Sequence, residues 1–126
     1  LRPALAEYGV ALATAISDWR ATTEALGAAR AKGQTDLFLA NAQVYLDMTG
    51  HLAIAWMWLK QALAADGARA QESGAQESGA EGSDFYAGKL QACRYFFRWE
   101  LPKGKAQGEL LRSLDATCHE AREDMF

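Results

Sequence analysis

Cysteine is scarce in this chain, with two in 126 residues, and the pair Cys93 and Cys118 lacks any Cys-x-x-Cys spacing. Neither a zinc knuckle nor a dithiol redox centre fits that arrangement. Both read as buried thiols in a reducing compartment, with a disulfide between them as the alternative. Basic excess is missing too: 13 Lys and Arg against 16 Asp and Glu leave a net charge of -3. Non-specific nucleic-acid binding needs a basic face to displace counterions, so it is not expected. The longest apolar run, Leu52 to Leu59, is bounded by His51 and Lys60. It falls far short of the roughly 20 residues that span a bilayer. No secretory leader is visible, and the start Leu1-Arg-Pro-Ala-Leu without an initiator Met suggests a piece of a longer protein. A cytoplasmic location is expected. Also absent are Gly-x-Gly-x-x-Gly, Gly-Lys-Ser/Thr and Gly-x-Ser-x-Gly motifs. The chain therefore offers no visible dinucleotide loop, phosphate loop or hydrolase nucleophile.

What is present is helix. Half of the residues are hydrophobic, enough for the core of one ordinary domain, taken as residues 1–126. Leu5, Leu12, Trp19 and Leu26 recur every seventh position, with Tyr8, Ala15, Thr22 and Ala29 at the matching offset. They predict one stripe of a long first helix from about Pro3 to Ala31. Pro3 suits a first helical position, and Lys32-Gly33 suits a stop. A second helix is expected from Thr35 or Asp36 to about Asp66-Gly67. Tyr45, Met48, Leu52, Ala55, Leu59 and Ala62 share one side of it, and Phe38, Val44, His51, Ile54 and Trp58 widen the apolar surface. A helix so apolar is central or covered by a second protein surface. Gly50 inside it costs about 1 kcal/mol relative to Ala and suggests a close helix crossing.

Residues 68–82 change character. Ala-Gln-Glu-Ser-Gly occurs twice, across 70–79. The segment lacks aromatic and β-branched residues and reads as a mobile surface loop, with a partner-binding motif as the alternative. A third helix is expected from Ser83 or Asp84 to about Leu101, where Pro102 stops it. Phe85, Ala92, Phe96 and Trp99 share one side; Tyr86, Leu90, Cys93 and Phe97 lie next to them. A fourth spans about Lys105 to Glu123, with Leu110, Leu111, Leu114, Cys118 and Ala121 inward. No run alternates like a strand. The expected fold is all-α, an up-down-up-down four-helix bundle.

Candidate chemistry is thin. Asp47 and His51, four apart, share a helix face and fit a metal pair or an acid–base dyad. A bundle metal site draws several carboxylates and a Glu-x-x-His pattern from facing helices, which this chain lacks. A helix-face hydrogen bond or a contact with a neighbouring domain is the better account. His119 and Glu120 are adjacent and point in different directions. Arg94 and Arg98, with Lys89 on an adjacent part of the surface, fit either a phosphate or a solvated cationic edge. Glu100 and Glu109 form no acid–base pair in the sequence. Trp19, Trp56, Trp58 and Trp99 all fall within helical patterns, where large aromatics are core or interface. Trp56 and Trp58 are separated by roughly 200° around a helix of 3.6 residues per turn. Both cannot face one core, so one of them should meet another layer, domain or subunit. No catalytic, cofactor-binding or metal-binding residue is assigned.

The wording of the two aromatic-rich helices adds a family. Tyr45-Leu-x5-Leu52, Ala55-Trp-Met-Trp-Leu59, Phe85-Tyr-x2-Lys-Leu-x2-Cys-Arg-Tyr-Phe-Phe97, Leu101-Pro102 and the closing Glu123-Asp-Met-Phe126 resemble the acetyl-CoA dehydrogenase-like C-terminal domain. That helical domain is appended to a subset of bacterial acyl-CoA dehydrogenases, including enzymes similar to 3-methylmercaptopropionyl-CoA dehydrogenase. The resemblance implies a parent flavoprotein of fatty acid metabolism that uses FAD to oxidise an acyl-CoA to the 2,3-enoyl-CoA. A glutamate base and flavin N5 would do the chemistry in preceding domains, and no catalytic residue transfers to this chain. It further implies that this domain packs on the dehydrogenase domains of its own chain, supports a homo-oligomer and borders the acyl-CoA entrance. The Gln-Glu-Ser-Gly repeat departs from the family pattern and puts in doubt any role for that loop in the parent's active site. The competing reading is a free-standing helical module that binds a partner helix in a groove. A small enzyme using Asp47 and His51 is a third.

Overall fold

The computed structural model describes residues 2–72 and 80–126. Every regular element among them is helical: α1 (Pro3–Ala31), α2 (Thr35–Ala40), α3 (Ala42–Glu72), α4 (Ala80–Tyr95), a π turn (Phe96–Glu100), α5 (Lys103–Arg112), α6 (Thr117–Glu120) and a final 3₁₀ turn (Glu123–Met125). No described helix is long and apolar enough to cross a membrane.

α1 follows its heptad stripe. Leu5, Leu12, Thr22, Leu26 and Ala29 are buried along one side, as the period demands. Its end is a Schellman cap. Gly33 takes φ 82°, and its N–H donates to the Arg30 carbonyl while that of Gln34 donates to Ala29, each at 3.0 Å. Left-handed backbone of this kind is why glycine stands there.

The expected second helix is two helices. Asn41 leaves helical geometry at φ -119° and ψ 33°, and its side-chain amide donates to the Asp115 carbonyl at 2.8 Å. That bond, made 74 residues away in sequence, ties α2 to the segment before α6. Asn is prone to such departures because its amide competes with the helical ladder. Beyond the break, Met48, Ala55, Ala62 and Ala65 are buried, so the predicted stripe holds. α3 runs through Asp66 and Gly67 to Glu72, past its expected end, and α4 begins at Ala80, ahead of Ser83. Arg2 pairs with Asp66 and holds the start of α1 to this last part of α3. The loop expected at 68–82 is thus helical at both described ends, while 73–79 lie outside the described residues. Gly50 does not mark a crossing: a methyl group there would meet nothing within 4 Å.

The third expected helix changes hand-hold near its end. The Leu101 N–H donates to the Phe96 carbonyl at 2.9 Å, five residues back. Pro102 has no N–H and its ring crowds the carbonyl four residues earlier; a wide turn before it relieves that crowding. The extra residue in the turn lets Phe96, Phe97 and Leu101 all face inward with Cys93. Phe85 and Trp99, expected beside Phe96, face outward instead and are largely exposed.

The fourth expected helix is shorter than predicted. α5 stops at Arg112, and Leu114 takes φ 51°. This is strained for a branched side chain, but Leu114 packs there against the cluster of Leu26, Met48 and Leu111. Leu111 is inward as expected, whereas Leu110, Cys118 and Ala121 are exposed. The larger cluster unites Leu5 and Leu12 of α1, Ala55 and Ala62 of α3, and Cys93, Phe96, Phe97 and Leu101. Tyr8 stacks on Phe97 at 4.8 Å between ring centres.

Candidate functional site

α1, α3 and the corner between the π turn and α5 do not close completely on one another. Ala11 and Ala15 lie one turn apart on α1 and present only methyl groups. Met48 and Leu52 of α3, Phe97, Leu101 and Pro102 complete an apolar wall around a cavity of about 370 Å³. This volume falls within the range of small-molecule sites, which run from about 300 to 1,000 Å³. Asp18, Trp19, His51 and Lys105 also line it; of these, Asp18 and His51 are each held in a hydrogen-bond network.

The first network pins α5 to α1. Arg112 Nη1 donates to Asp18 Oδ1 at 2.7 Å and to Thr22 Oγ1 at 2.7 Å. Thr22 Oγ1 in turn donates to the Asp18 carbonyl at 2.8 Å. Thr22 is fully buried, so its hydroxyl needs both partners. Gly108 permits the approach. A Cβ there would lie 2.7 Å from Asp18 Oδ2, 2.9 Å from Arg112 Nη1 and 3.1 Å from Thr22 Oγ1. The close helix crossing expected at Gly50 is here instead.

The second network centres on Glu100. Its carboxylate accepts from Lys103 Nζ at 2.8 Å, Tyr95 Oη at 3.2 Å and His51 Nε2 at 3.3 Å. The Lys103 bond, chiefly, with His51 and Tyr95 behind it, holds the Glu100 carboxyl below the ordinary glutamate range against partial desolvation. The same bond raises Lys103. His51 Nδ1 lies 2.8 Å from the Asp47 carbonyl oxygen. Each ring nitrogen therefore faces an acceptor, and both bonds form together only when the ring carries both protons.

Asp47 and His51 are thus linked through backbone rather than through a carboxylate–imidazole dyad. The Asp47 carboxylate instead accepts from Gln43 Nε2 at 3.0 Å. Among the described residues, no group of three or more His, Cys, Asp or Glu comes together in metal-binding proximity. His119 is exposed on α6. Arg94 and Arg98 do share a surface: they line an open cleft with Gln91, Tyr95 and Trp99, whose two rings stack at 6.2 Å. Lys89 does not join them. It donates to Gln61 Oε1 at 3.0 Å and lies over the Trp58 and Phe85 rings. Glu109 is exposed and is not among Glu100's hydrogen-bond partners. Cys93 is buried and Cys118 exposed, both as free thiols, so the expectation of two buried thiols fails at Cys118. Burial pushes the Cys93 thiol up to about 11.

No motif in the sequence marks Asp18, Arg112 or Lys105. The signal for the first two was Thr22, a hydroxyl in an otherwise apolar stripe that must find a polar partner when buried.

The other notable surface is the outward side of α3. Leu46, Ile54, Trp56, Met57 and Leu63 are exposed along it, Leu46 at 63% and Trp56 at 54%. Lys60 Nζ lies 4.9 Å above the Trp56 ring. Trp58 is half-buried on another side of the helix, so the two tryptophans do face apart. Trp19, by contrast, is half-buried and donates to Thr49 Oγ1 at 3.0 Å.

No curated protein matches this chain. Residues 2–122 match the family model described as acetyl-CoA dehydrogenase C-terminal like. This is nearly the whole chain, which therefore belongs to that family.

Proposed function

We propose that the chain is the accessory domain of an FAD-dependent acyl-CoA dehydrogenase in the cytoplasm. The parent would oxidise an acyl-CoA to the 2,3-enoyl-CoA in other domains of the same polypeptide. The outward side of α3 would dock on those domains or on a second subunit and support a homo-oligomer. The observation that carries this reading is that apolar side, on a helix of 31 residues, in a chain of this family. Exposed apolar surface of such extent marks an interaction site. The up-down-up-down order of α1, α3, α4 and α5 belongs to the same reading. Its support is the packing of α1 on α3 and α5, and of α3 on α4.

The test is a pair of substitutions, Trp56→Glu and Met57→Glu. Away from the core they should leave the chain's folding stability within about 0.5 kcal/mol. They should abolish co-elution with the dehydrogenase domains expressed separately. Undiminished co-elution would overturn the docking surface. The chain alone should bind no FAD and turn over no acyl-CoA; a stoichiometric flavin spectrum from it would overturn the accessory role. The same apolar side would serve a free-standing module that captures a partner helix. A full reading frame without a dehydrogenase would favour that alternative.

A further inference from the structure

We infer that the cavity between α1, α3 and α5 is a binding site for a small apolar carboxylate, such as a straight-chain acid of eight to ten carbons. The volume sets the size. At about 30 Å³ per water-sized group, 370 Å³ holds about twelve non-hydrogen atoms. Ala11, Ala15, Leu52, Phe97 and Leu101 make a wall suited to a hydrocarbon chain.

The charge at the rim sets the head group. Asp18 is neutralised by Arg112, and His51 is held between Asp47 and Glu100. Thr14 donates to the Val10 carbonyl. Lys105 remains, an exposed ammonium on the cavity wall. Among the described residues it has no carboxylate within ion-pair reach. Its lining residues lie away from the outward side of α3, so its occupancy is tested separately from docking there.

The test is calorimetry, with amide chemical shifts, on the chain titrated with octanoate, octan-1-ol, hexadecanoate and octanoyl-CoA. Octanoate should bind one-to-one with a Kd on the order of 0.1 mM, given about ten ligand atoms at intermediate efficiency. It should shift the amides of Ala15, Leu52 and Leu101. Octan-1-ol should bind about fivefold more weakly, and Lys105→Gln should erase that difference, as a partly exposed ion contact allows. Ala15→Leu, which takes up about a quarter of that room with its three added carbons, should weaken octanoate binding; Lys105→Gln, at the surface, tests the site even if that variant unfolds. Hexadecanoate should not saturate. No saturable octanoate binding, equal affinity for the alcohol, shifts confined to the outward side of α3, or tighter binding of octanoyl-CoA than of octanoate would each overturn the assignment.

Discussion

Replacing Gly108 with alanine sets two effects of known sign against each other. Alanine is the better helix former by about 1 kcal/mol in a helix interior, so propensity alone predicts a more stable protein. The added methyl, however, would stand 2.7 Å from Asp18 Oδ2 and 2.9 Å from Arg112 Nη1. Thr22 is buried on α1 and cannot retreat, so Asp18 and Arg112 must swing away, opening two bonds of 2.7 Å. Bonds to charged groups contribute about 1.5–3 kcal/mol each, but both side chains are 29% exposed and recover part of that from water. A combined loss of about 2 kcal/mol leaves Gly108→Ala destabilised by about 1 kcal/mol, or about 4 °C in Tm. Gly50→Ala is the control. A methyl there meets nothing within 4 Å, and it should stabilise by up to about 1 kcal/mol. Urea unfolding followed by helical circular dichroism measures both. In an Asp18→Ala background the cost of Gly108→Ala should shrink toward zero, because the nearest obstructing atom is gone. If Gly108→Ala stabilises the parent chain as Gly50→Ala does, the crossing is looser than described and the reasoning fails.

Two further outcomes follow from the site. The Glu100 carboxyl is held below its ordinary range in the fold. Its contribution to stability is therefore present above the unfolded value of about 4.3 and is lost as pH falls through the lower folded value. Glu100→Gln should flatten the dependence of Tm on pH across that acidic window; an unchanged profile would refute the Lys103–Glu100–His51 network. For the thiols, iodoacetamide at neutral pH should modify exposed Cys118 in the native chain and spare Cys93, whose thiol is buried and pushed up to about 11. Mass spectrometry showing equal labelling before unfolding would contradict the placement of Cys93 in the core.

Periodicity carried most of the helical content because burial in α1 and α3 is decided by their own repeats. Leu5, Leu12 and Leu26, and likewise Met48, Ala55 and Ala62, are where a helical period places them. The breaks were hidden because their causes lie far along the chain. Asn41 leaves the helix for a carbonyl at Asp115, and nothing within one turn of Asn41 signals that. Leu114 adopts a backbone that sequence rules reserve for glycine because the Leu26–Met48–Leu111 cluster holds its side chain. A uniform 3.6 period assigns Trp99 to the side of Phe96, and the π turn interrupts that period. At the candidate site, His51 stood out by residue type, yet its Glu100 partner is 49 residues distant. The cavity itself is made by what Ala11 and Ala15 omit, and missing volume has no letter in a sequence.

The π turn also bears on which changes this protein can tolerate. A turn of that kind carries one residue more than the ordinary helix around it. Everything after Glu100, including the ammonium of Lys105 and the guanidinium of Arg112, is therefore set in phase by a single supernumerary position. Point substitutions at exposed Arg98 or Trp99 leave that phase intact. Deleting either residue would instead rotate the downstream chain by about 100°, carrying Lys105 off the cavity rim and Arg112 away from Asp18 together. In this corner of the molecule the length of the chain is under tighter constraint than the identity of its side chains.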